Sequence, residues 1–359
     1  MARRQDLAFA WPAHLVRPQT GQRLVYLDLN HWIYLAKAAT GHRTGEQYKP
    51  ALSAVRDAAQ SERYLFPLSL THYMELSGIQ DPRQRGDVAD VMEEVSGFTT
   101  LLTRSHIMRL EIEAALDQVF NTASPHIADI DLLGWGISHA MGQRGLQIGL
   151  APGGTSDEAR ARWPNGPEAF DLFLANTKRY VERSILRGPS DAEVPGLEAR
   201  GWDPTVARTV AEERAEWERQ LAERLDQEPQ YWNRLRDVVQ ARYLSHEVID
   251  ILNQALFDRG RGIGDVITDK KSGSHFTESM PSAYVHISLV DAAHRNRDKP
   301  WESNDIFDVD ALSIAVPYCD LVVTERHACH VVRTARLPQA MNTEVVPRLR
   351  DLTEWLNNQ

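Results

Sequence analysis

Apolar and polar positions follow an alternating strand-and-helix rhythm at both ends of the chain and a helical rhythm in its middle. Near the start, RLVYLDL is an apolar run of strand length, and NHWIYLAKAAT then repeats apolar residues at helical spacing up to Gly41. KPALSAVRDAAQSE predicts a second helix and RYLFPLS a second strand. LTHYMELSG predicts a helix with Glu75 one turn in, and DPRQRGDVADVMEEVSG another. FTTLLT fits strand and helix equally. Strands alternating with helices predict βαβ units around a parallel sheet.

From about residue 105 to 296 the helical rhythm dominates. IMRLEIEAALDQVF and EAFDLFLANTKRYVERSIL read as helices, separated by LLGWGISHAMG and the turn-rich LAPGGTSDEARARWPNGP. GPSDAEVPGLEARGWDP reads as a loop. The longest helical tract runs from Pro204 to Leu256, with opposite charges at i,i+4 spacing that suit a solvated face. No clean a/d heptad runs through it, although a partner-binding surface fits the same pattern. DRGRGIGDVITDKKSGSH, glycine-rich and basic, predicts a mobile loop.

The strand-and-helix rhythm then returns. ESMPSAYVHISLVDAAHRN and the acid-rich WESNDIFDVDALSIAVPYCD predict helices, LVVTER a strand, HACHVVRTARL a helix, and TEVVPRL a last strand. These patterns predict one α/β domain built from residues 1–104 and 297–359, interrupted by a mostly helical insertion over 105–296. There is no internal repeat.

Composition narrows the classes. The 359 residues carry a formal net charge of −10, which argues against coating nucleic acid by bulk electrostatics but leaves room for local binding. The two cysteines form no CxxC pair, as expected of a chain in a reducing, cytoplasmic compartment without a zinc ribbon. MARRQDLAFAWPAHLV lacks the apolar core of a signal peptide, and no apolar run reaches membrane-spanning length. His286, His294, His327 and His330 form no HExxH pattern, and Cys319 has no nucleophile's setting. Walker and GxGxxG motifs are absent.

The chemistry lies in acids at strand ends. Asp28 closes the first strand, Glu75 follows the second, Asp305 and Asp308 share one face of a later helix, and Glu325 follows the Thr that ends LVVT. In an open parallel sheet these positions converge outside the carboxyl edge, where α/β folds bind ligands. Carboxylates so gathered need a counter-charge, and an oxygen-only donor set suits Mg²⁺ or Mn²⁺. Such ions activate water and stabilise charge in phosphoryl displacement, which points to a phosphodiester substrate.

LDLNHWIYL, FPLSLTHYMEL and NDIFDVDALSIAVPYCDLVVTER, in this order, resemble the PIN-domain ribonucleases, most closely a large bacterial form with a helical insertion. The resemblance covers the two terminal segments. It implies a PIN-like sheet and an Mg²⁺- or Mn²⁺-dependent endoribonuclease with RNA as its partner. On it, Asp28 and Glu75 match the first two acids of the family and Asp308 the third, with Asp310 in DALSIA as the alternative. Glu325 stands next to the fourth position, which Arg326 occupies instead. A homodimer, or a partner protein on the insertion, is a further expectation.

Each residue also has a plainer reading. Asp28 could cap the following helix, and Asp305, Asp308 and Asp310 could complement a helix dipole. Asp320 reads as a turn residue, Trp32 as core and His31 as surface. Asn30, Arg295, Arg297, Lys299 and Arg326 are candidate substrate contacts, with Lys270 and Lys271 nearby and Trp301 as a base-stacking ring. The runner-up function is a catalytically inactive PIN-like interaction module. A phosphatase or DNA nuclease on the same acids is a third.

Overall fold

Arg23–Leu27 (β1) carries no charged side chain beyond its first residue and forms an interior strand of the main sheet. The computed structural model describes residues 8–18, 21–123, 127–143, 155–203 and 205–358. The first seven residues, most of the LAPGG turn region and Pro204 lie outside them. β1 pairs with Tyr64–Leu65 (β2) on one side and with Leu321–Val323 (β3) on the other, with Glu344–Val346 (β4) beyond β3. All four strands are parallel, in the order β2–β1–β3–β4. β2 is shorter than RYLFPLS suggests, because Pro67 has no N–H to donate to a ladder.

Leu24, Tyr26, Val322 and Val345 face one core, while Val25, Leu27, Leu321 and Val323 face another. A sheet covered on both faces needs apolar residues at every strand position, which explains the unbroken apolar runs.

The longer helices before the middle region are Leu29–Ala39 (α1), Lys49–Gln60 (α2), Leu70–Ser77 (α3) and Pro82–Ser96 (α4), and Arg104–Phe120 (α5) opens that region. Those of the middle are Pro167–Arg187 (α6), Val206–Gln227 (α7), Leu235–Tyr243 (α8), Ile249–Asp258 (α9), Lys270–Ser279 (α10) and Pro281–Arg295 (α11). Ser303–Tyr318 (α12), Arg326–Thr334 (α13) and Leu349–Asn357 (α14) complete the chain. Helices α1, α2, α4 and α14 cover one face of the sheet, with Trp32 fully buried between them. Helices α5 and α7 to α13 build the other side.

The middle region does not fold around a core of its own. Ala211, Ala215, Leu225, Leu235 and Val239 join Tyr26, Val322 and Val345 in one continuous cluster. Helix α6 is fastened to α4 where the buried Glu93 receives Arg179 (2.7 Å) and Arg183. It is tied to α3 where the Tyr73 hydroxyl donates to Glu182 at 2.6 Å.

Four local expectations change, the first being GPSDAEVPGLEARGWDP, read as a loop, which carries a short helix over Val194–Glu198. FTTLLT is a strand: Thr99–Leu101 pairs antiparallel with Leu133–Trp135. DKKSGSH is not loop but the start of α10, because the Asp269 carboxylate accepts from the Ser272 amide at 2.8 Å and caps it. Helix α14 follows β4, where sequence periodicity gave no separate element. Among the described residues no helix is long and apolar enough to cross a membrane.

Candidate active site

Asp28 occupies the N-cap position of α1, yet its side chain closes no cap hydrogen bond. It accepts instead from the Thr324 hydroxyl, 3.1 Å away at the end of the neighbouring strand. The backbone amides of Leu29, Asn30 and Glu325 lie near enough to favour its charge without bonding it as a cap would. Leu27 pairs with Val323, so the residues after them meet by register. The strand order reverses between these two strands, with α1 on one face and α13 on the other; an open sheet parts into a crevice at that point.

Glu75 is brought to the same crevice by α3. The helix is clamped to the end of β1 through His72, whose Nε2 contacts the Leu27 carbonyl at 2.8 Å while its Nδ1 accepts from the Ser69 amide at 2.9 Å. The ring is therefore neutral with its proton on Nε2, and burial pushes its pKa down to about 4. His72→Ala would leave a buried carbonyl and amide unpaired beside a cavity. The expected cost is about 2–4 kcal/mol, read as a shift of the denaturation midpoint. Sequence reasoning passed over His72; its spacing of three from Glu75, one helical turn on the same side, was the available signal.

Helix α12 supplies Asp308. Its neighbours Asp305 and Asp310 have other duties. Asp305 accepts from the Glu302 amide at 2.9 Å, which caps the helix, and its other oxygen pairs with Lys299. Asp310, two positions from Asp308, points the other way, as the helical turn requires. There it meets Arg214 (2.9 Å), with Arg104 at 3.4 Å and Arg104 bound to Glu247 at 2.7 Å. Those guanidinium groups hold Asp310 below its usual range and Glu247 at about 2, overriding the burial that opposes them. Asp310 is thus held in an ion-pair network on that side of α12. Asp310→Ala leaves Arg104 and Arg214 sharing Glu247 and is expected to cost about 3 kcal/mol in chemical denaturation.

Glu325 is exposed at the rim, where Asn30 donates to its Oε1. Asp28, Glu75 and Asp308 are half-buried. Burial raises Asp28 above its ordinary value. Burial first, then the charges of Asp28, Asp308 and Glu325, raise Glu75 well above its own. Burial first, then the charges of Asp28, Glu325 and Asp305, push Asp308 up to about 8, with Lys299 pulling against them. Glu75 and Asp308 therefore lie within electrostatic reach of Asp28 and Glu325, and those like charges add to burial in disfavouring their ionised forms.

Compared with protein-family models, curated proteins and solved structures, the chain matches none. Among the described residues no three His, Cys, Asp or Glu side chains stand as a ready-made metal cage. The fit to a hard cation lies in the donor chemistry, four carboxylates with one opposing lysine, and not in a preformed shell.

The basic candidates fall into two groups. Arg295 is bound to Asp291 (2.9 Å) and Arg297 to Asp226, with the Arg297 guanidinium 4.8 Å above the Trp232 ring. Lys270 is paired with Asp237. Lys299 lies near the acids through Asp305, and Arg326 lines a cleft beside Glu325. Trp301 is buried against His294, so it cannot stack a base. Asp320 is more than a turn residue: its carboxylate accepts from the Leu24 amide at 2.7 Å and pins β1 beside β3. His31 is buried rather than on the surface.

Proposed function

We propose that the chain is a PIN-like, divalent-metal-dependent endoribonuclease that hydrolyses RNA phosphodiester bonds at this carboxylate group. One observation carries the reading: Asp28, Glu75, Asp308 and Glu325 come from four separate elements around the point where the strand order reverses, and the charges of Asp28 and Glu325 disfavour the ionised forms of Glu75 and Asp308. A protein keeps such an arrangement against its electrostatic cost when a cation completes it.

Asp28, Glu75 and Asp308 would hold Mg²⁺ or Mn²⁺, with Glu325 or Asp305 completing the set. The ion, when bound, lowers the pKa of a coordinated water and neutralises the charge that develops on the phosphate. The chain's own part is positional. Thr324 fixes the rotamer of Asp28, and the His72 clamp fixes the helix that carries Glu75. Glu325, exposed and oriented by Asn30, is the acid best able to take a proton from the attacking water.

One observation favours a second reading, a non-catalytic interaction module of the same fold. Glu325 is engaged by Asn30, and the sequence places Arg326 where the family has an acid. The two readings separate in one assay: cleavage of labelled, mixed-sequence single-stranded RNA with Mn²⁺, with Mg²⁺ and with chelator, beside the same sequence as DNA. The nuclease reading expects internal cuts in RNA that need the metal. Cutting that persists in chelator, or none on unstructured and structured RNA alike, overturns it in favour of the module.

A further inference from the structure

Next to the acids lies a cleft of about 910 Å³ lined by the hydrogen-bonded pair Asn30 and Glu325, by Tyr34 and Tyr48, and by the arginines around α14. Tyr34 and Tyr48 are half-buried and stacked, with ring centroids 4.7 Å apart and planes 16° from parallel. Their contact depends on Gly45: a Cβ there would collide with the backbone of Lys37, so only glycine lets the Arg43–Tyr48 segment lie this close to α1. The Lys37 ammonium sits 5.7 Å from the Tyr34 ring centroid.

The cleft wall carries three arginines against two glutamates, Glu325 and Glu354. Arg326, Arg348 and Arg350 all line it and all are exposed. Arg350 bonds Glu354 at 2.9 Å and Arg348 stands 4.0 Å from Asp351, exposed pairs that yield readily to a stronger anion. Among the described residues no carboxylate pairs with Arg326. In the same wall, His31 is 3% exposed and its Nδ1 has no hydrogen-bond partner, a defect that native interiors seldom leave unless a ligand or water meets it. On a chain of net charge −10, three arginines beside a stacked aromatic pair are a local exception with a recognisable use. Bases stack on aromatic faces whatever their identity, while guanidinium groups meet the phosphates between them.

We propose that this cleft holds unpaired nucleotides flanking the cleaved bond, with a base stacked on the Tyr34–Tyr48 pair and adjacent phosphates met by Arg326, Arg348 and Arg350. The proposal rests on the nuclease reading for the word "flanking" and on the cleft alone for the ligand class, single-stranded nucleic acid. A duplex keeps its bases stacked inside and offers no face to the tyrosines.

The test is fluorescence anisotropy of the full chain with a short labelled single-stranded RNA in chelator, where no metal-dependent cutting consumes the probe. The same sequence as DNA and as a duplex run beside it. Wild type is expected to bind both single strands more tightly than the duplex. Tyr48→Ala should weaken binding about tenfold or more, and Tyr48→Phe should retain it. Arg326→Ala should weaken all single strands alike and lower the slope of log affinity against log salt by about one. Equal affinity in Tyr48→Ala, Arg326→Ala and wild type overturns the proposal, as does a wild type that binds no strand. If Tyr48→Ala proves unfolded by its melting curve, the exposed Arg326 variant decides. Cleavage with Mn²⁺ separates the two readings: cutting with unchanged KM in Tyr48→Ala and Arg326→Ala removes the cleft and keeps the nuclease. Tyr48-dependent binding without cutting does the reverse.

Discussion

Asp28→Asn and Asp308→Asn are each expected to reduce Mn²⁺-dependent cleavage of single-stranded RNA by about 10³-fold or more while leaving the protein folded. Both substitutions keep the shape of the side chain and remove a charge, so they test the cation rather than the packing. Losing one anionic donor weakens the hold on the ion and on the charge it offsets in the transition state, each a matter of several kcal/mol. Glu75→Gln should fall in the same range, because its carboxylate lies within electrostatic reach of Asp28, Asp308 and Glu325. Asp310→Asn is the control of contrasting kind. Its carboxylate belongs to the Arg104–Arg214 network, so its loss should appear in stability and not in the metal dependence of the remaining activity. A series in which Asp310→Asn abolishes cutting and Asp308→Asn does not would assign the third acid to the wrong face of α12.

The second large effect concerns the metal-free protein and its pH dependence. In an unfolded chain the three half-buried acids titrate at about pH 4. In the folded chain without metal their pKa values are raised, that of Asp308 to about 8. Between those limits the folded state binds more protons than the unfolded one, so stability falls as pH rises. The acids should therefore give the melting temperature in chelator a falling slope between pH 5 and pH 8. It is opposed in the lower part of that window by the buried His31, His72 and His286, whose pKa values burial pushes down to about 4. The paired acids Glu247 and Asp310 keep their full contribution throughout. Asp308→Asn should flatten the slope and raise the pH 8 melting temperature by about 2 °C or more. Mn²⁺ should stabilise the wild type by mass action, about 2.7 kcal/mol at a hundredfold excess over its dissociation constant. It should do far less for Asp308→Asn. A variant that melts below wild type at every pH would show that Asp308 is a structural acid without strain, and the counter-ion argument would fail.

The patterns that sequence conveys well here are those carried within one element. Helix α1 was legible from Trp32, Leu35 and Ala36 at helical spacing, and β1 and β3 from unbroken apolar runs too short for helices. The acids at the ends of those strands were legible for the same reason, since an abrupt carboxylate after buried residues has few bland explanations. Asp28 shows the limit of such reading: cap and ligand predict the same residue at the same place, and the side chain closes no cap bond but meets Thr324. Helix α10 was missed because a glycine-rich, basic stretch outweighed a single capping Asp269. Helix α14 was missed because PRLRDL read as the tail of a strand, and with it went Arg348 and Arg350.

The sequence by itself determined the alternation of strands and helices at the two ends of the chain, the apolar runs of β1 and β3, and the acid that follows β1. Periodicity encodes burial within a segment, and chain connectivity places the ends. Only the tertiary structure decided which faces meet. It turned Asp308 toward Asp28 and Asp310 toward Arg214, joined the middle helices to the core of the sheet, buried Trp301, and brought Tyr48 onto Tyr34 beside the C-terminal arginines. Those outcomes depend on contacts between residues tens to hundreds of positions apart. No local pattern specifies them, because each is chosen by what the opposing surface leaves to be filled or neutralised.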